Sequence, residues 1–216
     1  TNTQGGSQAT GSLFVNKNAT PGTPTGQGNY SFFMQLQTSF HLHINTIDQQ
    51  GNPNEQGING SINNVSDGNW HLLTFTFENG QLKTYVDGVL DISFTTIGNL
   101  IDVNSNWFSR LGHWGASGYI PDASVDDITI WNTALTQTEI QQYMNCPPTG
   151  NEAGLVGYWN FEEGSGTTAY DQTSNGNHGT INGATYDANV PTQSCVGGLT
   201  NANGCDSTSM LNLTIS

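Results

Sequence analysis

Aromatic and nitrogen-bearing side chains recur between residues 107 and 122, in the segment WFSRLGHWGASGYIPD. Its aromatic, guanidinium and imidazole side chains are those of Trp107, Arg110, His113, Trp114 and Tyr119. Aromatic rings can stack on a sugar ring, and Arg and His can donate hydrogen bonds to its hydroxyl groups. We therefore predict a ligand-binding region here. The alternative is that Trp107 or Trp114 packs in the core of alternating strands.

The acidic residues do not form the pairs that glycoside hydrolysis requires. A retaining glycosidase holds two carboxyl groups about 5 Å apart, which on a strand needs residues at alternating positions. Glu162 and Glu163 are adjacent, as are Asp126 and Asp127, so the members of each pair would point to opposite faces. The sequence also lacks the G-x-S-x-G motif of a serine nucleophile. We predict that the protein is not an enzyme.

Three cysteines, Cys146, Cys195 and Cys205, lie in the last third of the chain without the C-x-x-C spacing of zinc or redox sites. This pattern favours a disulfide formed in an extracellular, oxidising environment. A bond between Cys146 and Cys195 would add about 4 kcal/mol of stability in the chain-entropy treatment of loop closure. A bond between Cys195 and Cys205 is the main alternative.

The charge of the chain excludes two classes of partner. The sequence contains 3 Lys and Arg residues against 17 Asp and Glu residues, for a formal net charge of −14. Nucleic acids and anionic membrane surfaces bind clusters of Lys and Arg, which this sequence lacks. No apolar run reaches the length of about 18 residues that would cross a membrane. We expect no nucleic-acid partner and no membrane insertion.

Short β-rich runs, separated by Gly, Asn, Pro and Asp, extend from residue 11 to about residue 131 and are typical of an all-β sandwich. The strongest pattern lies within residues 66–94, where Leu73, Phe75 and Phe77 alternate with threonines to give one apolar face. Glu-Asn-Gly and Asp-Gly follow as turn sequences. This pattern predicts a meander of three strands.

A single helix is predicted from Gln137 to Met144. Thr136 can cap its first turn, and Glu139, three residues later, would complete a capping box. Ile140, Tyr143 and Met144 lie on one side of the helix and form an apolar stripe. The helix should therefore pack against the β-rich body.

Three segments of the sequence resemble one family. DGNWHLLTFTFENGQLKTYVDGV resembles the central hairpin of the bacterial laminin G-like, concanavalin A-like jelly rolls. VDDITIWNTALTQTEIQQYMN resembles their final strand and helix, and GLVGYWNFEEGSG their opening strand. The resemblance implies an all-β, antiparallel jelly-roll sandwich with one short helix. The tail NANGCDSTSMLNLTI is similar to repeats in large secreted surface proteins of gliding gram-negative bacteria, which implies an extracellular location at the cell surface.

The order of these segments departs from the family, because the opening segment follows the helix and the two strands that should come next are missing. The jelly roll is therefore either permuted or fragmentary. We favour docking of the opening segment, since its aromatic residues would otherwise face water. The predicted organisation is a jelly-roll body at residues 1–145, an opening-strand segment at 146–192 docked on the same sandwich, and the terminal strand of a neighbouring repeat at 193–216.

The resemblance also implies a calcium site. DQTSNGNHG resembles a loop that often binds calcium in the family, which makes Asp171, Asn175 and Asn177 candidate ligands, joined from a facing strand by Asp126 or Asp127. Carboxylate and amide oxygens suit Ca²⁺, which takes six to eight oxygen ligands. The alternative is an Asx-rich turn whose side chains hydrogen-bond to nearby backbone.

Together these patterns predict a non-catalytic extracellular module for recognition or adhesion. Its partner would be a glycan or a surface protein, and the module would belong to a larger bacterial surface protein. A body that lacks strands would expose unpaired strand edges, which a neighbouring chain could fill. The alternative function is therefore a structural repeat of an extracellular filament or stalk, assembled by strand exchange between chains.

Overall fold

The computed structural model describes residues 11–18, 30–36, 40–47, 53–58, 65, 67–96, 98–100, 107–111, 123–193, 195 and 210–213. The regular elements of these residues are antiparallel strands and a single short helix, which confirms the predicted all-β class. The chain divides into two compact units, Thr1–Asp122 and Ala123–Ser216. We describe each unit by itself.

The first unit contains two antiparallel sheets among its described residues. Its strands are β1 (Gly11–Asn18), β2 (Tyr30–Leu36), β3 (Phe40–Ile47), β4 (Pro53–Ile58), β5 (Leu73–Glu78), β6 (Gln81–Val86), β7 (Val89–Thr95), β8 (Asn99–Leu100) and β9 (Trp107–Leu111). The larger sheet has the order β4-β3-β2-β1-β9, with β8 also paired to β3. The smaller sheet has the order β5-β6-β7.

The core of the first unit lies between these two sheets. Leu42 and Ile44 of β3 and Leu82 of β6 are fully buried and form one cluster. Half-buried residues around it include Leu73, Phe75 and Phe77, the apolar face predicted for β5. A sandwich of two packed sheets is the arrangement that buries one apolar face of each.

Two tight turns make β5, β6 and β7 a continuous meander. Asn79 and Gly80 have φ angles of 50° and 74°, and Asp87 and Gly88 have φ angles of 52° and 69°. Positive φ at both central residues is typical of type I′ hairpin turns, which favour Asn-Gly and Asp-Gly. The predicted meander is therefore present, with β6 paired to both neighbours.

His71 connects the second turn to the loop that precedes β5. Its Nδ1 lies 2.8 Å from Asp87 Oδ2, and its Nε2 lies 3.0 Å from Asp67 Oδ1. Burial lowers the pKa of His71, but the hydrogen bonds and charges of Asp87 and Asp67 raise it more, so that the net shift is upward. A protonated ring can donate to both carboxylates at once, which ties three parts of the chain together.

The second unit contains short strands and the helix. The strands are β10 (Ala123–Val125), β11 (Ile128–Trp131), β12 (Leu155–Trp159), β13 (Thr168–Ala169), β14 (Gly179–Thr180), β15 (Thr185–Asp187) and β16 (Met210–Leu213). β11 pairs with β12, and β13 pairs with β14, while β16 lies between β10 and β15. The segment predicted as the opening strand is thus hydrogen-bonded to the segment predicted as the final strand.

The helix α1, Gln137–Asn145, begins at its predicted residue. The Glu139 N–H donates to Thr136 Oγ1 at 3.3 Å, and the Thr136 N–H donates to Glu139 Oε2 at 2.7 Å, which completes the capping box. The ring of Tyr143 lies on Trp131 of β11, with centroids 4.9 Å apart. Within the described chain, no helix has the length and apolar character that a membrane crossing needs.

A disulfide joins the end of α1 to the segment that follows β15. It links Cys146 to Cys195, one of the two pairings that the sequence left open. The docking of residues 146–192 on the sandwich of residues 1–145, and the assignment of residues 193–216 to a neighbouring repeat, stay predictions.

Removal of the disulfide should destabilise the protein. The double variant Cys146→Ser/Cys195→Ser should lose about 4 kcal/mol of unfolding free energy, because the bond spans 49 sequence positions whose chain entropy it restricts. Guanidinium titrations with and without reductant measure the loss. Cys205→Ser is the matched control and should keep the wild-type response to reductant. A loss of that response in the control would contradict the Cys146–Cys195 pairing.

The substitution His71→Gln should destabilise the protein more in mild acid than in base. A histidine with a raised folded pKa contributes stability that is fully present below its unfolded pKa of about 6.5 and is lost as the pH rises through the folded pKa. Hydrogen bonds from Asn69 and His71 hold the pKa of Asp67 at about 2, so this carboxylate stays ionised over the range. Melting curves at about pH 5 and about pH 9 give the comparison. Equal losses at both pH values would contradict a role for the charge.

Candidate functional site

The predicted ligand-binding residues lie only partly in the described chain. Trp107 and Arg110 belong to β9, whose backbone pairs with β1 along its whole length. His113, Trp114 and Tyr119 lie outside the described residues. The binding region predicted from the sequence therefore stays a prediction.

The buried carboxylate of Asp171 organises the loop that follows β13. Its Oδ1 accepts hydrogen bonds from the backbone N–H groups of Tyr158 at 3.0 Å and Thr173 at 2.9 Å. Its Oδ2 accepts from the Thr173 hydroxyl and the Asn177 N–H, both at 2.9 Å. Burial raises the pKa of Asp171, but these hydrogen bonds lower it more, so that the net shift is downward. The charged form is the one that the fold stabilises.

Two asparagine side chains attach the same loop to β12. The Nδ2 atoms of Asn175 and Asn177 donate to the carbonyl oxygen of Val156, at 2.9 and 3.1 Å. The Thr173 hydroxyl accepts a further hydrogen bond from the Asn175 N–H at 3.3 Å. These contacts are those of the Asx-rich turn that the sequence left as the alternative to a calcium site.

A second polar cluster surrounds Asp127, which follows β10 with a φ of 49°. The Tyr158 hydroxyl donates to its Oδ1 at 2.8 Å, and the Gln193 side-chain amide donates to its Oδ2. Burial raises the pKa of the Asp127 carboxyl, and the charge of Glu162 adds to the rise, while the two hydrogen bonds oppose it. Asp126 accepts a hydrogen bond from the Asp127 N–H at 3.0 Å. The pair thus holds the entry to β11 in place.

Hydrogen-bond donors contact the carboxylate oxygens of two of the five predicted calcium ligands, Asp171 and Asp127. Calcium needs six to eight oxygen atoms directed at one point. Around Asp171 the converging groups are N–H and O–H donors, and donors also face both oxygens of Asp127. Across the residues that the structure describes, no group of three or more His, Cys, Asp and Glu side chains could hold a metal ion. Calcium binding stays a prediction.

Other carboxylates of the second unit also accept hydrogen bonds from backbone groups. Glu139 caps α1, and Glu152 accepts from the N–H and the hydroxyl of Thr149, at 2.7 and 2.9 Å. Glu163 accepts from the Tyr170 N–H at 2.7 Å. These carboxylates hold turns in place.

The variant Asp171→Asn should lose about 2 to 3 kcal/mol of unfolding free energy at neutral pH, because an amide replaces a charged acceptor that faces four donors. A lowered carboxyl pKa contributes stability above the unfolded pKa that is lost as the pH falls through the folded pKa. The difference from wild type should therefore shrink in strong acid. Urea titrations over pH measure it.

The same titrations with calcium and with chelator separate the two interpretations of this loop. A wild-type midpoint that is equal in both would support the Asx-rich turn, in which hydrogen-bond donors face the Asp171 oxygens. A wild-type midpoint that rises with calcium, in a way that Asp171→Asn abolishes, would support the calcium prediction instead.

A match to a protein family agrees with this architecture. A laminin G-type family model, described as the concanavalin A-like lectin/glucanases superfamily, matches residues 2–141. No curated protein matches the chain significantly. Among solved structures, the chain is similar to a candidate carbohydrate-binding protein from Bacteroides ovatus ATCC 8483, with 14% identity and a TM-score of 0.48. The similarity covers 82% of this chain but 55% of that one. Because the family match extends over more than half of its residues, this protein belongs to the concanavalin A-like lectin/glucanases superfamily.

Proposed function

We propose that this protein is a non-catalytic extracellular recognition module that binds glycans or surface proteins as part of a larger surface protein or adhesin. The superfamily description names both lectins and glucanases, so membership alone permits either binding or hydrolysis. The roles of the carboxylates favour binding. A catalytic pair must face a substrate from two sides and exchange protons with it.

The observation that carries the proposal is the use of the second unit's carboxylates as acceptors for the chain's own donors. Asp171 accepts four hydrogen bonds within its loop. Glu152 and Glu163 hold turns. Asp127 has the raised pKa of a general acid, but Tyr158 and Gln193 occupy both of its oxygens. Each of these carboxylates already accepts hydrogen bonds from the protein itself.

The extracellular location rests on the disulfide and the composition. Cys146 and Cys195 are bonded, and such bonds persist in oxidising compartments. A polar surface built mainly from uncharged residues also keeps its solvation when the external pH changes, since few side chains titrate. The disulfide and the uncharged polar surface both support an extracellular location.

A second function, the structural repeat of a filament, is favoured by the position of β16. This strand lies between β10 and β15, and residues 188–209 connect it to β15. Two identical chains can exchange a strand that is paired on both sides and lies at the end of a long connection. The exchanged strand makes the same contacts in the partner chain as it made in its own. Strand exchange of this kind would join copies of the chain.

A glycan array probed with the purified chain should show binding to oligosaccharides. The bound oligosaccharides, incubated with the chain, should release no reducing ends, because the carboxylates described in the second unit accept hydrogen bonds from the chain's own donors. The heat-unfolded chain is the control for non-specific adsorption. Released reducing ends would contradict the non-catalytic assignment. An empty array together with polymers in sedimentation analysis would support the filament function.

A further inference from the structure

An aromatic side chain projects from the second unit at Tyr170, which exposes 51% of its surface. The residues on either side of it account for this outward orientation. Its neighbours Ala169 and Asp171 are both buried, and successive residues of an extended segment point to opposite sides. Ala169 pairs with Gly179 of β14, and Asp171 is held by its hydrogen bonds, so both flanks of Tyr170 are fixed. The exposed ring is therefore a fixed feature of the surface.

Glu163 also holds the backbone of Tyr170 in place. One carboxylate oxygen accepts the Tyr170 N–H at 2.7 Å, and the other accepts the Tyr186 hydroxyl at 3.0 Å. Burial, together with the hydrogen bond and charge of Glu163 and the charge of Tyr170, raises the pKa of Tyr186 to about 12. The Tyr186 hydroxyl thus stays protonated and donates to Glu163, while its oxygen can still accept a hydrogen bond.

His178 lies against the ring of Tyr170 and presents a donor. The two ring centroids are 5.1 Å apart with an interplanar angle of 72°, an edge-to-face contact. The Asp171 N–H donates to His178 Nδ1 at 3.1 Å, so that nitrogen is an acceptor and the proton of the neutral ring lies on Nε2. His178 is exposed. Its Nε2–H group is therefore a fixed, solvent-facing hydrogen-bond donor beside an exposed aromatic ring.

We infer that Tyr170, His178 and Tyr186 form a binding platform for a neutral pyranose ring, and we call it the Tyr170 platform. This inference rests on the proposed glycan recognition and gives it a location. The apolar face of a pyranose can stack on Tyr170, while its hydroxyl groups accept from His178 Nε2 and donate to the tyrosine oxygens. The second unit contains Asp and Glu but neither Lys nor Arg, so acidic sugars would be repelled and neutral ones preferred.

The sequence offers only a weak signal for this platform. Glu163, Tyr170, His178 and Tyr186 recur at intervals of seven or eight residues, yet no helix or strand has that period. They meet because short strands and the Asp171 loop fold back on one another. The platform belongs to the second unit, and the region predicted around Trp107 belongs to the first.

The test uses the full chain in a glycan array, followed by titration with the neutral oligosaccharide that gives the strongest signal. Tyr170→Ala should weaken that binding about tenfold, the loss expected for one stacked ring. Tyr170→Phe should retain most of it because the ring remains. Phe94→Ala is the matched control, since Phe94 is an exposed ring of the first unit, and it should bind as wild type does. Unchanged melting curves confirm that the variants fold.

Nuclear magnetic resonance provides a readout that needs no variant. Methyl β-D-glucopyranoside and methyl β-D-galactopyranoside, titrated to millimolar concentration, should shift the ring signals of Tyr170 and His178 with at least one of the two sugars. Glycan binding that Tyr170→Ala leaves intact, without shifts at these rings, would overturn the platform while leaving glycan recognition in place. A wild-type chain that binds no glycan on the array would overturn both.

Discussion

The second unit buries the carboxylate of Asp171 without a Lys or Arg to pair with it. Residues 123–216 include nine Asp and Glu but no Lys or Arg. A carboxylate removed from water costs several kcal/mol unless charge-assisted hydrogen bonds replace its hydration. At Asp171 the replacement is made by two hydrogen bonds to each oxygen. These bonds lower the pKa of Asp171 more than burial raises it.

This requirement shapes the surface as well as the interior. The bonds that stabilise Asp171 come from β12 and from the loop to Asn177, so they hold that loop in one conformation. The Asp171 N–H then positions the His178 ring, and the inward direction of Asp171 turns Tyr170 outward. A buried charge and an exposed ring are thus two results of one local arrangement. Uncharged donors and rings remain for recognition, which suits a neutral sugar better than an anion.

Features encoded by neighbouring residues could be predicted from the sequence, and features made by distant ones could not. The Asn79-Gly80 turn and the Thr136 capping box depend on residues a few positions apart, so turn and cap preferences were sufficient. The Tyr158–Asp127 hydrogen bond joins residues 31 positions apart, and no pattern in the sequence marks it. The direction of Tyr170 depends equally on the burial of Asp171, which sequence alone leaves open between a calcium ligand and a turn.

The hydrogen bonds that stabilise the Asp171 carboxylate also bear on calcium binding. A negatively charged unit attracts cations, but this attraction is screened beyond about 8 Å at physiological salt and does not by itself create a coordination site. An extracellular-type calcium site with millimolar affinity supplies about 4 kcal/mol. Freeing one Asp171 oxygen would break two charge-assisted hydrogen bonds, each worth about 1.5 to 3 kcal/mol. The two quantities are of similar size, so a calcium ion at this loop would compete with the loop's own donors for Asp171.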